Sequence, residues 1–283
     1  MSESIPTGFA ILRTQHLFGY QTRFRAICNT LADAIGIRIE PHMARDYGEL
    51  TAAFEKGSLG LAWVPPVTAA RLIRRQLVAP IALPRRGGHA RYRSVIIAHE
   101  DAAETLAAFP APRMAWVDPE SAAGYLTPRG QLLAQGVTGF ASEQFFGSHN
   151  AVVDAVAIRA ADLGATFGTF DEATGELIDA EWLDTNGTKL RPVKAIAHFG
   201  SIPNDCIVVS SRWPKELQKQ AQDWFIAATR DELDILADLL RTDHFDTVDD
   251  QWLPDVERIL SEARTSGLPE LGSRRSHDVR RSR

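Results

Sequence analysis

Apolar and polar positions recur along this chain in two rhythms. Phe9-Ala10-Ile11-Leu12 is a short apolar run and predicts a strand. From Thr22 to Ile35 the apolar positions Phe24, Ile27, Leu31 and Ile35 return at helical spacing, and Gly36 supplies the stop. Ile37 to Pro41 alternates, as a second strand would. Asp46 is placed to cap a helix through Leu50, Ala53 and Phe54 that ends at Gly57. Leu59 to Val64 predicts a third strand, closed by Pro65-Pro66. A helix over Val67 to Arg74 and an extended run over Leu77 to Leu83 follow. The succession then repeats. Strands are expected at Tyr92–Ala98, Met114–Asp118, Phe145-Phe146, Leu163–Phe170, Val193–His198 and Ile207–Ser210, and helices at Ser121–Leu133, Asn150–Ala161, Pro214–Ala228 and Asp231–Leu240. The polar stretch 171–186 supports no assignment.

Strands that alternate with helices imply layered α/β architecture. The pattern holds two successive βαβ sets and then strand and helices able to return to the first. It therefore predicts two lobes with mostly parallel sheets and a cleft between them. Residues 1–97 with 201–266 would form one lobe and 98–200 the other. The Ser-, Arg- and Gly-rich stretch 267–283 reads as a disordered tail. A chain that crosses twice between lobes has a hinge, which allows closure around a ligand. In open α/β sheets ligands bind beyond the carboxyl ends of strands, so the segments after each strand are the candidates. His16, Leu17 and Phe18 follow the first strand and fall in this class.

Composition narrows the function. The 283 residues are 45% hydrophobic and 24% charged, ordinary values for a folded chain. The formal net charge of -5 and the absence of a nucleic-acid motif argue against a nucleic-acid partner. No apolar run approaches the ~18 residues that span a bilayer. The first residues carry neither a basic nor an apolar leader segment, which points to the cytoplasm, or to the periplasm if a leader has been removed. Cys28 and Cys206 are the only cysteines and read as buried thiols. The histidines show no metal-ligand spacing, and no nucleotide or hydrolase motif occurs, so neither a metal nor a cofactor is expected.

The most informative segment runs from Trp116 to Arg129. A strand ends near Asp118 and a helix begins at Ser121-Ala122-Ala123-Gly124. The first N–H groups of a helix lack intrahelical partners and sit at its positive end, so this start is suited to an anion; an ordinary serine cap is the plainer alternative. The segment resembles the substrate-binding proteins of phosphonate and phosphite ABC transporters (the PhnD-like family, periplasmic-binding-protein type 2). Asp46-Tyr47-Gly48-Glu49-Leu50 with Leu61-Ala62-Trp63, then Tyr92-Arg93-Ser94-Val95-Ile96, Gly147-Ser148-His149-Asn150 and Ser201-Ile202-Pro203-Asn204-Asp205, resemble that family's motifs in the same order.

The resemblance implies a Venus-flytrap α/β fold, a small-molecule ligand in the interlobe cleft, and a set of cleft residues. Ser121, with Ala122 and Ala123, would receive the anion. His149, Tyr47, Tyr92 and Trp63 would line the site, Asp205 would face the ligand's far end, and Phe167 and Phe170 would add apolar surface. Bland readings stand beside these: His149 as a helix cap, the tyrosines and phenylalanines as packing, Asp205 as a turn residue. Ala122 and Ala123 stand where the family usually has hydroxyl residues, so a donor-poor cleft and an organic anion with an apolar body are expected. The protein would be a cytosolic binder or a sensor with a protein partner. The alternative is a cytosolic enzyme on the same fold, with His149 as general acid/base.

Overall fold

The structure is a computed structural model that describes residues 5–12, 19–137, 139–184, 186–266 and 268. His16, Leu17, Phe18 and nearly all of the tail lie outside the described residues. Two six-stranded sheets organise the chain. The first runs β12 (His244–Asp246), β4 (Val78–Arg85), β11 (Cys206–Ser210), β3 (Leu59–Val64), β1 (Gly8–Leu12) and β2 (Glu40–Ala44). The second runs β10 (Val193–Pro203), β5 (Arg91–His99), β8 (Leu163–Phe170), β6 (Arg113–Trp116) and β7 (Ser142–Phe145), with β9 (Leu177–Ala180) paired to β8.

The sheets are mixed, not mostly parallel. β1 pairs parallel with β2 and β3, and β6 with β7 and β8, as βαβ units require. β5, β10 and β11 run antiparallel to their neighbours. These are the strands by which the chain passes between sheets, so the crossing sets their direction. β5 lies wholly in the second sheet, and residue 97 falls inside it.

Most elements form where the pattern places them. α1 (Tyr20–Ile35) ends at Gly36, whose φ of 72° no β-carbon-bearing residue adopts easily. Its apolar face buries Phe24, Ile27 and Leu31 against Phe9 and Phe225; Phe24 and Phe9 meet edge to face at 5.1 Å. Each such buried side chain contributes about 1.5–3 kcal/mol. The second strand is displaced: it spans Glu40–Ala44, not Ile37–Pro41, with Pro41 opposite Phe9. An edge strand has no partner for a missing N–H on its outer side, so the proline is tolerated there.

β9 and β12 form in stretches given no strand, and two helical features also escaped the pattern. α8 (Trp252–Thr265) buries Trp252, Val256, Ile259, Leu260 and Ala263 against α3 (Pro66–Arg74) of the first lobe and α4 (Thr127–Ala134) and β10 of the second. The helix expected from Ser121 opens as a π-helical turn over Ala122–Leu126 before α4 begins. Pro128 explains this: it has no N–H to offer the Gly124 carbonyl four residues back, and its ring would strike that carbonyl in a regular helix. The freed Gly124 oxygen accepts a hydrogen bond from the Val117 N–H at 3.1 Å.

Candidate functional site

The site forms where two helix starts face each other. α2 (Tyr47–Glu55) begins under an Asp46 cap, whose side chain accepts from the Glu49 N–H at 2.7 Å. This fixes Tyr47 in the first turn of the helix, buried, with its hydroxyl close enough to the Ser121 side chain to interact with it. Ser121 caps the opposite helix by accepting from the Gly124 N–H at 3.0 Å. The adjoining backbone is held by the Ser94 hydroxyl, which donates to the Ala123 carbonyl at 2.7 Å. Ala122 and Ala123 are buried and present the first N–H groups of that helix.

Negative charge lies close by. Burial, reinforced by Asp46, pushes the Asp118 carboxyl up to about 6. Burial, with Asp118 and Asp205 nearby, also raises the Tyr47 hydroxyl, which therefore stays a neutral donor. The helix start thus offers N–H and hydroxyl donors beside an acidic neighbour, a setting more favourable to a monoanion than to a dianion.

Deeper in, Tyr92 and His149 flank Phe167, with ring centroids at 6.3 and 5.2 Å, both edge to face. α5 (His149–Ala157) starts from a Ser148 cap, and its first residue contacts Thr166 on β8 through Nδ1 at 2.9 Å. Burial and the Arg86 charge hold the imidazole down to about 4, so it is neutral at physiological pH. Tyr92 is raised well above its usual value by burial and by Asp205.

Arg86 and Asp205 form a buried ion pair at 2.5 Å, with side chains 8% and 12% exposed. Burial opposes the Arg86 charge, but Asp205 outweighs it and keeps the guanidinium cationic. Arg241, at the end of α7 (Arg230–Leu240), pairs with Asp179 on β9, donates to the Ala180 and Leu183 carbonyls at 3.1 and 3.2 Å, and lies over Phe167. Burial raises the neighbouring Glu181 to about 7. On the outside, Arg71 of α3 pairs with Glu120 across the cleft.

The structure therefore brings together Tyr47, Tyr92, Ser121, Ala122, Ala123, His149, Phe167 and Asp205. It does not bring Trp63 or Phe170 to this group. Trp63 packs on the other face of the first sheet, against the cluster that holds Phe9 and Phe24, with its indole N–H buried and without a hydrogen-bond partner among the described residues. Phe170 is an odd number of positions from Phe167 on β8 and so takes the opposite face; it packs with Val95 and Val152 and meets His198 at 5.0 Å. Arg86, Glu181 and Arg241 were not legible as site residues. In the sequence Arg86 lies in the polar stretch Arg85-Arg86-Gly87-Gly88-His89, and its one signal is its position where the chain crosses between lobes. Burial raises the Cys28 thiol to about 12 and Cys206 also upward, which leaves neither as a ready nucleophile. Among the described residues no group of three or more His, Cys, Asp or Glu side chains is placed to hold a metal ion, and no helix is long and apolar enough to cross a membrane.

The sequence model of the family described as "ABC transporter, phosphonate, periplasmic substrate-binding protein" matches residues 9–253. The chain belongs to this family. Among solved structures, a binding-protein component of an ABC phosphonate transporter from Pseudomonas aeruginosa superposes with a TM-score of 0.77 at 22% identity, over 93% of this chain and 88% of that one. PhnD1 from Prochlorococcus marinus in complex with methylphosphonate gives 0.72 at 16% identity, over 92% and 98%. A Xanthomonas citri protein bound to ATP gives 0.71 at 16%, over 93% and 98%. At these identities the structural likeness establishes the fold, a two-lobed periplasmic-binding-protein architecture. The family's description is periplasmic and lends no support to the cytoplasmic expectation.

Proposed function

We propose that this phosphonate-family solute-binding protein binds a small organic anion with a singly charged head and an apolar body. The head would sit at Ser121, Ala122 and Ala123 under the Tyr47 hydroxyl, and the body would lie along Tyr92 and Phe167. The approach of the Tyr47 hydroxyl to Ser121 carries this reading, because it sets a hydroxyl of one lobe against the helix start of the other at the point where an anion head would be clasped. Ala122 and Ala123 remove two hydroxyl donors from that start, and Asp118 adds acidic character beside it. Both changes weaken the site for a phosphonate dianion more than for a carboxylate.

The enzyme alternative draws no support from His149. An imidazole held near 4 stays neutral around pH 7 and is a poor proton carrier there. It suits a fixed hydrogen-bonding role through Thr166.

Thermal-shift titration of the full chain with alkyl- and arylcarboxylates, alkylphosphonates and inorganic phosphate tests the proposal. Greater stabilisation by the carboxylates supports it. Tight and exclusive phosphonate binding contradicts the choice of ligand class.

A further inference from the structure

The far end of the cleft holds an arginine whose donors are not used up. A guanidinium has five N–H donors. In Arg86, Nη2 reaches Asp205 at 2.5 Å, while the contacts of Nη2 to the Leu240 carbonyl and of Nη1 to Asn204 Oδ1 are both stretched to 3.5 Å. Its Nε is buried with no hydrogen-bond partner among the described residues, on a residue only 7% exposed. A buried donor left unpaired is costly, and native structures keep few of them without a use. Arg86 lies between β4 and β5, and its partner Asp205 between β10 and β11, so the ion pair ties together the two places where the chain crosses between the sheets.

The same pair changes what Asp205 can do. An open carboxylate at the far end would attract an ammonium group. Here Asp205 is neutralised by Arg86, and Asp179 by Arg241, although Asp179 Oδ2 is itself buried without a hydrogen-bond partner among the described residues. Neither carboxylate keeps a full uncompensated charge for a cation, whereas Arg86 keeps an unspent donor.

We propose that Arg86 selects the far end of the ligand, accepting a carboxylate or similar oxyanion group there and disfavouring an ammonium group. This rests on the reading that an anionic head binds at Ser121, and it adds a second acceptor at the other end of the ligand. The body between the two ends remains apolar, against Phe167 and Tyr92.

Calorimetric titration of the full chain with two matched series tests it: butanoate, succinate and 4-aminobutanoate, and propylphosphonate, 3-phosphonopropanoate and 3-aminopropylphosphonate. The carboxyl-ended member should bind about tenfold or more tighter than the methyl-ended one, as a charge-assisted hydrogen bond implies. The amino-ended member should be the weakest. In Arg86→Gln the ratio between carboxyl- and methyl-ended ligands should fall towards one, and Arg86→Lys should keep part of it. The wild-type series needs no variant to fold. If methyl-ended ligands bind but the carboxyl end adds nothing, or the amino end wins, the Arg86 inference is overturned and the head site stands. If no member of either series binds, the head site falls as well.

Discussion

Removal of the Asp205 carboxylate should unfold this protein more readily than almost any single change at its surface. In Asp205→Ala the Arg86 guanidinium stays buried with two contacts among the described residues, each at 3.5 Å, to Asn204 and the Leu240 carbonyl. With side chains 8% and 12% exposed, the pair lies in the range where loss of one partner costs about 3–5 kcal/mol. The two weak residual contacts put the expected loss near the middle, about 4 kcal/mol. For a chain of this size that corresponds to a fall of roughly 8–16 °C in Tm. Arg86→Met/Asp205→Ala should recover most of the loss, because two uncharged side chains leave no stranded charge. An exposed pair such as Arg230–Asp234, at 87% and 62% exposure, is the control; its disruption should cost at most about 0.5 kcal/mol. Urea unfolding and thermal melts of the wild type, Asp205→Ala, Arg86→Met and the double variant provide the cycle. An Asp205→Ala cost below about 1 kcal/mol, or a double variant as unstable as the two single losses combined, would refute the claim that this is a buried, desolvated pair.

Further consequences follow from the same contacts. Gly124→Ala would set a β-carbon 2.3 Å from Val117 Cγ2 and 2.8 Å from Ser121 Oγ, so it should cost roughly 1–3 kcal/mol by overpacking and weaken oxyanion binding as well; equal stability by urea unfolding would contradict the geometry. His149 has its folded pKa depressed from 6.5 to about 4, so the unfolded chain takes up the proton first. The stability of the neutral form is complete above pH 6.5 and is lost as pH falls towards 4, by roughly 3 kcal/mol at full effect; His149→Gln should flatten that slope in pH-dependent melts. Glu181, raised to about 7, should take up about half a proton when an anion enters at neutral pH, so affinity should fall as pH rises above 7. Calorimetry in buffers of different ionisation enthalpy measures that uptake, and Glu181→Gln should abolish it.

The elements were legible where local and tertiary preferences agree. Leu59–Val64 is a continuous apolar run stopped by two prolines, and it folds as β3 with those bounds. Thr229 and Glu232 close a capping box at α7 that local spacing alone can specify. β2 was misplaced because alternation in Ile37 to Pro41 fits the local pattern, while pairing with β1 decides the register. α8 was missed although Trp252, Val256, Ile259 and Ala263 carry the helical spacing.

The site divides in the same way. Tyr47, Ser121 and His149 sit in the first turn of, or at the cap before, a helix whose start the sequence marks. Phe167 and Phe170 look equivalent in sequence, and only strand alternation separates them. Arg86 could not be assigned beforehand, because its meaning depends on Asp205, more than a hundred positions away in the chain.

The most direct test is a crystal structure of the full chain with the tightest-binding anion from the titrations. The account predicts the anionic head within hydrogen-bond distance of the Tyr47 hydroxyl and the Ala122 and Ala123 N–H groups, with the body along Tyr92 and Phe167. A ligand bound with its head elsewhere, or between the lobes without contact to Tyr47 and the Ser121 helix start, would contradict it.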